Sequence, residues 1–294
     1  MERIRRDELR LLARGGQADI YALGPDRILR FPRRPQDFSR MRYEFEVLSR
    51  LGLDGGAPSA PVPGLAVPRV FELVEVEGAP SIVMERIDGP SMMDLIRRNP
   101  LSAGKAAAEL ARLHLEVLSQ LASPPLTDSH DKAGFCMEKA GLAAADTADL
   151  MRLLKSLPRG ESLCHGDFHP GNILHSGGRN VVIDWSSASF GDFHGDIAHT
   201  YLLLKVVPRV PGVGPLAHIL QRRIGGVMAG AYLDAVARHK RIDFPLLAGW
   251  LLIKCAERSW YGLPSEKAVL RDLVSSGLEI FRREGNVNRF FKLV

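Results

Sequence analysis

The sequence predicts an α+β protein in two parts: a small antiparallel sheet lobe carrying one helix, residues 1–88, and a larger, mostly helical lobe, residues 89–294. Three observations predict it. Alternating apolar strands fill the first part and give way near Gly89 to segments of helical period. Turn residues punctuate the first part at the short spacing that hairpins need. One polar segment bounded by Gly and Pro, ESLCHGDFHPGNILHSG at 161–177, interrupts the helical part and is followed by the strand-like NVVIDW.

The elements follow in order. Residues 4–12 read as a short helix, LLARGGQADIYAL as strand, glycine turn and strand, and RILRF (27–31) as a short strand. A helix is expected from about Asp37 to Leu51, where Met41, Phe45, Leu48 and Leu51 recur at three-and-four spacing. The stretch 52–66 is rich in Gly and Pro and reads as a loop. VPRVFELVEVEG and PSIVMERID read as two strands turned by EGAP. Beyond Gly89, helical signals run through SMMDLIRR, 103–121, 142–156, 194–206, 213–238, 244–258 and about 265–283, with NIL and NVVIDW as strand-like pieces among them. No repeat at a solenoid period is present.

Composition narrows the class. With 294 residues, 46% hydrophobic and 25% charged, the chain has the make-up of a globular protein with real cores. The net charge of +5 is spread out, and the clusters Arg3-Arg5-Arg6, Arg33-Arg34 and Arg282-Arg283 are too short, and too poor in interleaved aromatics, for a nucleic-acid surface. Cys136, Cys164 and Cys255 lie far apart, which suits a reducing compartment and neither a disulfide framework nor a zinc motif. The N-terminus lacks an apolar secretory core, and LLAGWLLIKCA is too short to span a bilayer. The expectation is a cytoplasmic monomer or homodimer with neither nucleic-acid nor membrane partner.

The chemistry concentrates at 165–184. Asp167 sits in a loop with Asn172 five positions on, a spacing that lets both side chains serve one cleft. A carboxylate there can accept the proton of an attacking hydroxyl. The amide oxygen of Asn172 and the carboxylate of Asp184, closing the apolar run VVID, are hard oxygen donors for Mg²⁺, which completes its shell with waters and substrate phosphates. That set is what phosphoryl transfer asks of a protein. His165 and His169 read as loop-fixing hydrogen-bond partners, and His114 as a helix-packing residue.

The segments LCHGDFHPGNIL and VVIDW resemble the active-site signature of the aminoglycoside phosphotransferase and choline kinase group, small-molecule kinases with the bilobal protein-kinase-like fold. The resemblance implies that Asp167 is the catalytic base, that Asn172 and Asp184 hold Mg²⁺, and that His165 supports the loop. ARGGQADIY is similar to the nucleotide-covering hairpin, with Gly15 and Gly16 letting backbone approach the phosphates. Arg30 stands where kinases carry the strand lysine that meets the phosphates. Its helix partner is Glu44 or, on another side of the helix, Glu46. SIVMERIDG resembles the strand and hinge that hold the adenine, through the backbone of Glu85 and Ile87 with Met84 lining the pocket. Asp196 matches an Asp that ties the loop together in the family, and Asp192 beside it has no clear counterpart.

The implied activity is ATP- and Mg²⁺-dependent transfer of the γ-phosphoryl group to a hydroxyl of a small molecule, with GTP as the alternative donor. Two other readings stay open: a nucleotide-binding pseudoenzyme, against which the full set Asp167, Asn172 and Asp184 argues, and a protein kinase, against which DWS and the missing Ala-Pro-Glu argue. The acceptor is an aminoglycoside or another amino or hydroxy compound. No acidic patch closes the C-terminus to grip a polycation, and FRREGNVNRFFKLV there is basic and aromatic. Trp185, Trp250, Trp260 and Tyr261 serve either as acceptor-binding faces or as core.

Overall fold

The computed structural model describes residues 4–51, 65–122, 126–207, 212 and 214–294. The loop expected at 52–66 lies mostly outside them. The chain divides into two compact units, Met1–Leu95 with Pro170–Ala188, and Ile96–His169 with Ser189–Val294.

The first unit holds a five-stranded antiparallel sheet in the order β1-β2-β3-β5-β4, from β1 (Leu11–Arg14), β2 (Ala18–Ala22), β3 (Arg27–Pro32), β4 (Val70–Val76) and β5 (Ala79–Glu85). β4 and β5 join through Glu77 and Gly78, both at positive φ (52° and 78°), the conformation of a two-residue primed turn whose twist matches the strands. Leu29, Phe31, Val76, Ala79 and Val83 form a core under the sheet. Helix α1 (Phe38–Leu51) packs on β4 and β5, burying Met41, Val47 and Leu48. The helix read at 4–12 shrinks to one 3-10 turn, Arg6–Glu8, because Leu11 is drawn into the sheet opposite Tyr21.

The same unit contains the hairpin β7 (Ile173–Ser176) and β8 (Arg179–Val182), turned by Gly177 and Gly178 at positive φ. It docks through bridges between Ser91 and Leu174 and between Ala66 and Val181. At Gly89, a Cβ would lie 1.9 Å from the His175 carbonyl oxygen, so only glycine lets the two backbones pass.

Helix α2 (Met92–Arg98) carries the chain into the second unit. There α3 (Ala103–Leu118) lies along α7 (Pro215–His239), and α8 (Phe244–Tyr261) packs against α4 (Ser129–Lys139), α5 (Ala144–Ser156), α6 (Phe193–Lys205) and α9 (Lys267–Glu284). α8 is the centre of this core: Trp250, Leu251, Leu252 and Ile253 are wholly buried. Helix α4 escapes the periodicity reading because its buried face is mostly small and polar, Ser129, His130, Ala133, Gly134 and Cys136, with Met137 its one large apolar member. Its start was marked only by the cap Asp128, which accepts from the His130 N–H at 2.7 Å. The paired strands β6 (Ser162–Cys164) and β9 (Ser189–Gly191) are too short to show alternation. Among the described residues no helix is long and apolar enough to cross a membrane.

Candidate active site

Arg30 lies on β3, flanked by Ile20 of β2 and Ile82 of β5 in register. Its Nε stands 2.9 Å from Glu44 Oε2 and its Nη2 3.0 Å from Asp184 Oδ1. Three segments far apart in sequence therefore meet at one guanidinium. Burial works against the arginine's charge, and Asp184 and then Glu44 more than offset it, holding it firmly protonated. Glu44 is fully buried and is pushed up to about 7, chiefly by burial, against the pull of Arg30. The choice between Glu44 and Glu46 is settled by the turn of α1: Glu44 faces inward with Met41 and Leu48, and Glu46 is exposed.

Asp184 sits two residues past β8 in the left-handed region (φ 62°, ψ 67°), a conformation that short polar side chains tolerate better than most. Ser186 Oγ donates to its Oδ1 at 2.8 Å and stands 3.4 Å from Gln17 Oε1 in the β1–β2 turn. Asn172 ends a 3-10 turn, Pro170–Asn172, and its carbonyl accepts from the Ile183 N–H at 2.9 Å, which pins it beside the residue preceding Asp184. The two oxygen donors suit a hard dication that keeps waters and takes substrate oxygens. Among the described residues no group of three or more His, Cys, Asp and Glu forms a closed metal cage.

Gly15 and Gly16 occupy the turn between β1 and β2. The Gly15 N–H donates to the Ala18 carbonyl at 2.9 Å, and a Cβ there would stand 2.8 Å from that oxygen, so the tight turn requires glycine. A Cβ on Gly16 would meet nothing within 4 Å. Met84 is buried at the end of β5. The Glu85 N–H is taken by the Arg69 carbonyl at 2.8 Å, and Ile87 follows in the half-buried stretch beyond β5.

Asp167 belongs to the second unit, three residues before the first unit resumes at Pro170. Its loop is held from α6. Asp196 accepts the His165 N–H at 2.6 Å and the Gly166 N–H at 2.9 Å, and Thr200 Oγ1 donates to the Phe168 carbonyl at 3.0 Å. Asp196 also meets His114 Nε2 at 3.0 Å, while His114 Nδ1 lies 2.6 Å from the Tyr232 hydroxyl. Burial disfavours the Asp196 carboxylate, but the His114 hydrogen bond and the nearby imidazoles outweigh it and hold it well below the usual carboxylate range. The Asp167 N–H donates to His165 Nδ1 at 3.2 Å, and His169 Nε2 approaches Asp167 Oδ2 at 3.7 Å. His114 thus does more than pack: it stacks on Phe168, ring centroids 4.2 Å apart, and ties α3 to the loop of Asp167. Thr200 carries no motif of its own in the sequence; its one signal is its place four residues after Asp196, on the same helix face.

Several carboxylates beyond Trp185 that could meet a cationic acceptor are bound to internal partners. Asp192 caps α6 and accepts the Trp250 indole N–H at 2.8 Å. Glu257 pairs with Lys254 at 2.7 Å, and Glu266 grips Arg258 through two bonds of 2.9 Å. Asp243 caps α8, and Glu284 is bonded by Arg283 and Arg289. Trp185 and Trp250 are core, and Trp260 and Tyr261 are partly exposed.

The sequence matches the phosphotransferase enzyme family over residues 8–233. The chain belongs to that family. No curated protein sequence matches it. Among solved structures, it resembles a thermostable mutant of the aminoglycoside phosphotransferase APH(4)-Ia in a ternary complex with AMP-PNP and hygromycin B, with TM-score 0.64, 17% identity and 92% of each chain covered. It also resembles the amicoumacin kinase hAmiN in complex with AMP-PNP, Ca²⁺ and Ami, with TM-score 0.59 and 14% identity over 99% of this chain and 93% of that one. The antiparallel lobe with α1 and the mostly helical lobe are those of the bilobal, kinase-like fold expected from the sequence. Enzymes of this family are ATP- and Mg²⁺-dependent phosphotransferases that act on hydroxyl groups of small molecules.

Proposed function

We propose that this phosphotransferase uses ATP with Mg²⁺ to phosphorylate a hydroxyl of a small amino or hydroxy compound in the cytoplasm, with Asp167 as the catalytic base. The observation that carries the reading is the Arg30–Glu44–Asp184 constellation, which joins the kinase-type strand cation to its helix acid and to the acid after VVID. Arg30, fixed by two acids, is preorganised to meet phosphate oxygens. The turn at Gly15 and Gly16 lets the backbone approach the phosphates, with the Gly15 N–H itself held by the Ala18 carbonyl. The base edge of adenine falls to the Glu85 carbonyl and the Ile87 backbone beside Met84, since the Glu85 N–H is already engaged.

Asn172 and Asp184 would hold Mg²⁺, which when bound neutralises charge on the phosphates and orients them. Asp167 orients the acceptor hydroxyl and takes its proton late, as the bond to phosphorus forms. Asp196, Thr200 and His165 hold that carboxylate's loop in place. The commitment of Glu257, Glu266 and Asp192 to internal partners favours an acceptor carrying few positive charges over a polycationic one.

The test is an ADP-release screen of the purified protein against aminoglycosides, choline-like amines, sugars, amino alcohols and nucleosides, with ATP and GTP in parallel and Asp167→Asn as control. An acceptor-dependent signal that disappears in the variant supports the reading. A signal that persists in it, or acceptor-independent ATP hydrolysis alone, contradicts it.

A further inference from the structure

Helix α7 carries two apolar faces. One is buried in the second unit, with Met228, Tyr232 and Val236 turned toward α3 and α6. The other is exposed. Leu216, Ile219, Leu220 and Val227 are between 52% and 83% accessible. At 3.6 residues per turn they share about 100° of the helix circumference with Arg223, Gly230 and Asp234, which are exposed as well. A helix that is apolar on all sides is ordinarily covered on all sides.

The glycines of α7 divide the same way. A Cβ on Gly225 would stand 2.3 Å from the Leu204 carbonyl oxygen, so the contact with α6 requires that glycine. On Gly226 and Gly230 a Cβ would meet nothing within 4 Å. Glycine inside a helix costs about 1 kcal/mol relative to alanine, and no contact among the described residues calls for it at these two positions. A second helix lying close against the exposed face would call for it.

The charges on that face select the occupant. Take an antiparallel copy of α7, related by a two-fold axis centred between Val227 and Gly230. It brings Arg223 to the partner's Asp234 and Asp234 to the partner's Arg223, as a self-complementary interface requires. The same register sets Val227 beside the partner's Gly230. It lays Leu220 and Ile219 over the partner's Ala237 and the stem of the partner's Arg238, both of them exposed positions. A register one helical turn away loses both ion pairs, and in one direction sets Arg223 against the partner's Arg238.

We propose that a second copy of this chain covers the exposed face of α7 in that antiparallel register, making α7 the interface of a homodimer. One helix pair lies at the small end of specific interfaces, so association in the micromolar range is expected. The inference is independent of the phosphotransferase reading.

Sedimentation velocity of the purified chain at rising concentration tests it, and a monomer–dimer equilibrium is expected. Arg223→Asp and Asp234→Arg each set like charges against one another twice, and each should weaken dimerisation at least about tenfold. The double variant Arg223→Asp/Asp234→Arg re-forms both pairs with the signs exchanged and should return to the parent's affinity. Gly230→Leu, whose Cβ meets nothing in the chain, should weaken the dimer as much without lowering the thermal midpoint of the dilute monomer. Four results overturn the inference: a chain that stays monomeric, a monomer that binds phosphatidylglycerol vesicles through this face instead, a dimer indifferent to either single reversal, or a double reversal that fails to recover.

Discussion

Removing the Asp196 carboxylate should loosen the loop of Asp167 and destabilise the second unit together. In the native chain that side chain accepts backbone N–H groups from His165 and Gly166 at 2.6 and 2.9 Å and meets His114 at 3.0 Å, all within a buried site. Asp196→Ala leaves two buried backbone donors and one imidazole nitrogen without their acceptor. A buried donor stripped of its partner costs about 1–3 kcal/mol, and the loss of one member of a buried charged network about 3–5 kcal/mol in all. Against a typical stability of about 5–15 kcal/mol, that is a large fraction. Asp196→Asn keeps one carbonyl oxygen and turns an NH₂ toward a donor, so its cost should fall between that of the alanine variant and zero. Urea denaturation followed by circular dichroism measures the loss, and kcat on any acceptor measures the loop. An alanine variant with the parent's denaturation midpoint and kcat would refute the reasoning, because it would mean that the loop does not depend on this carboxylate.

Two further outcomes follow from the same geometry. Glu44→Ala should weaken Mg²⁺-nucleotide binding about tenfold, the worth of one charge-assisted contact, while Glu46→Ala changes it less than twofold; calorimetry that finds the larger loss at Glu46 contradicts the pairing at Arg30. His199 is buried with both ring nitrogens unpartnered, and burial first, then the charges of Lys254 and Arg258, holds its pKa well below the usual value. The unfolded chain therefore takes up a proton near pH 6.5 that the folded chain does not, so stability falls as the pH drops below that point, by about 1 kcal/mol between pH 7 and 5.5. His199→Leu should remove that share of the acid slope, and denaturation curves at the two pH values with an unchanged slope would exclude it.

The local signals of the sequence carried most of the fold. Strand alternation, the primed turn at Glu77–Gly78 and the helical periods of α3, α6 and α8 all appear where their patterns stand. The missing elements lacked those patterns: α4 buries mostly small and polar residues, and β6 and β9 are three residues long. For the site, residue type and spacing nominated Asp167, Asn172 and Asp184, and the family resemblance added Arg30 and Asp196. The tertiary partners were out of reach, because the contacts of His114 with Asp196 and Tyr232, and of Trp250 with Asp192, span from 58 to 118 positions. The choice of Glu44 over Glu46 needed the rotation of α1 about its axis, which only the packing of Met41 and Leu48 supplies.

The central claim, that Asp167 carries the chemistry and leaves nucleotide binding to other residues, is tested most directly by comparing Asp167→Asn with the parent in single-turnover phosphoryl transfer and in Mg²⁺-ATP binding. The account predicts a transfer rate lower by about a thousandfold, within the range for loss of a positioned base, and a dissociation constant for the nucleotide within twofold of the parent. A variant that keeps most of its transfer rate, or that loses nucleotide affinity in proportion to rate, would contradict it.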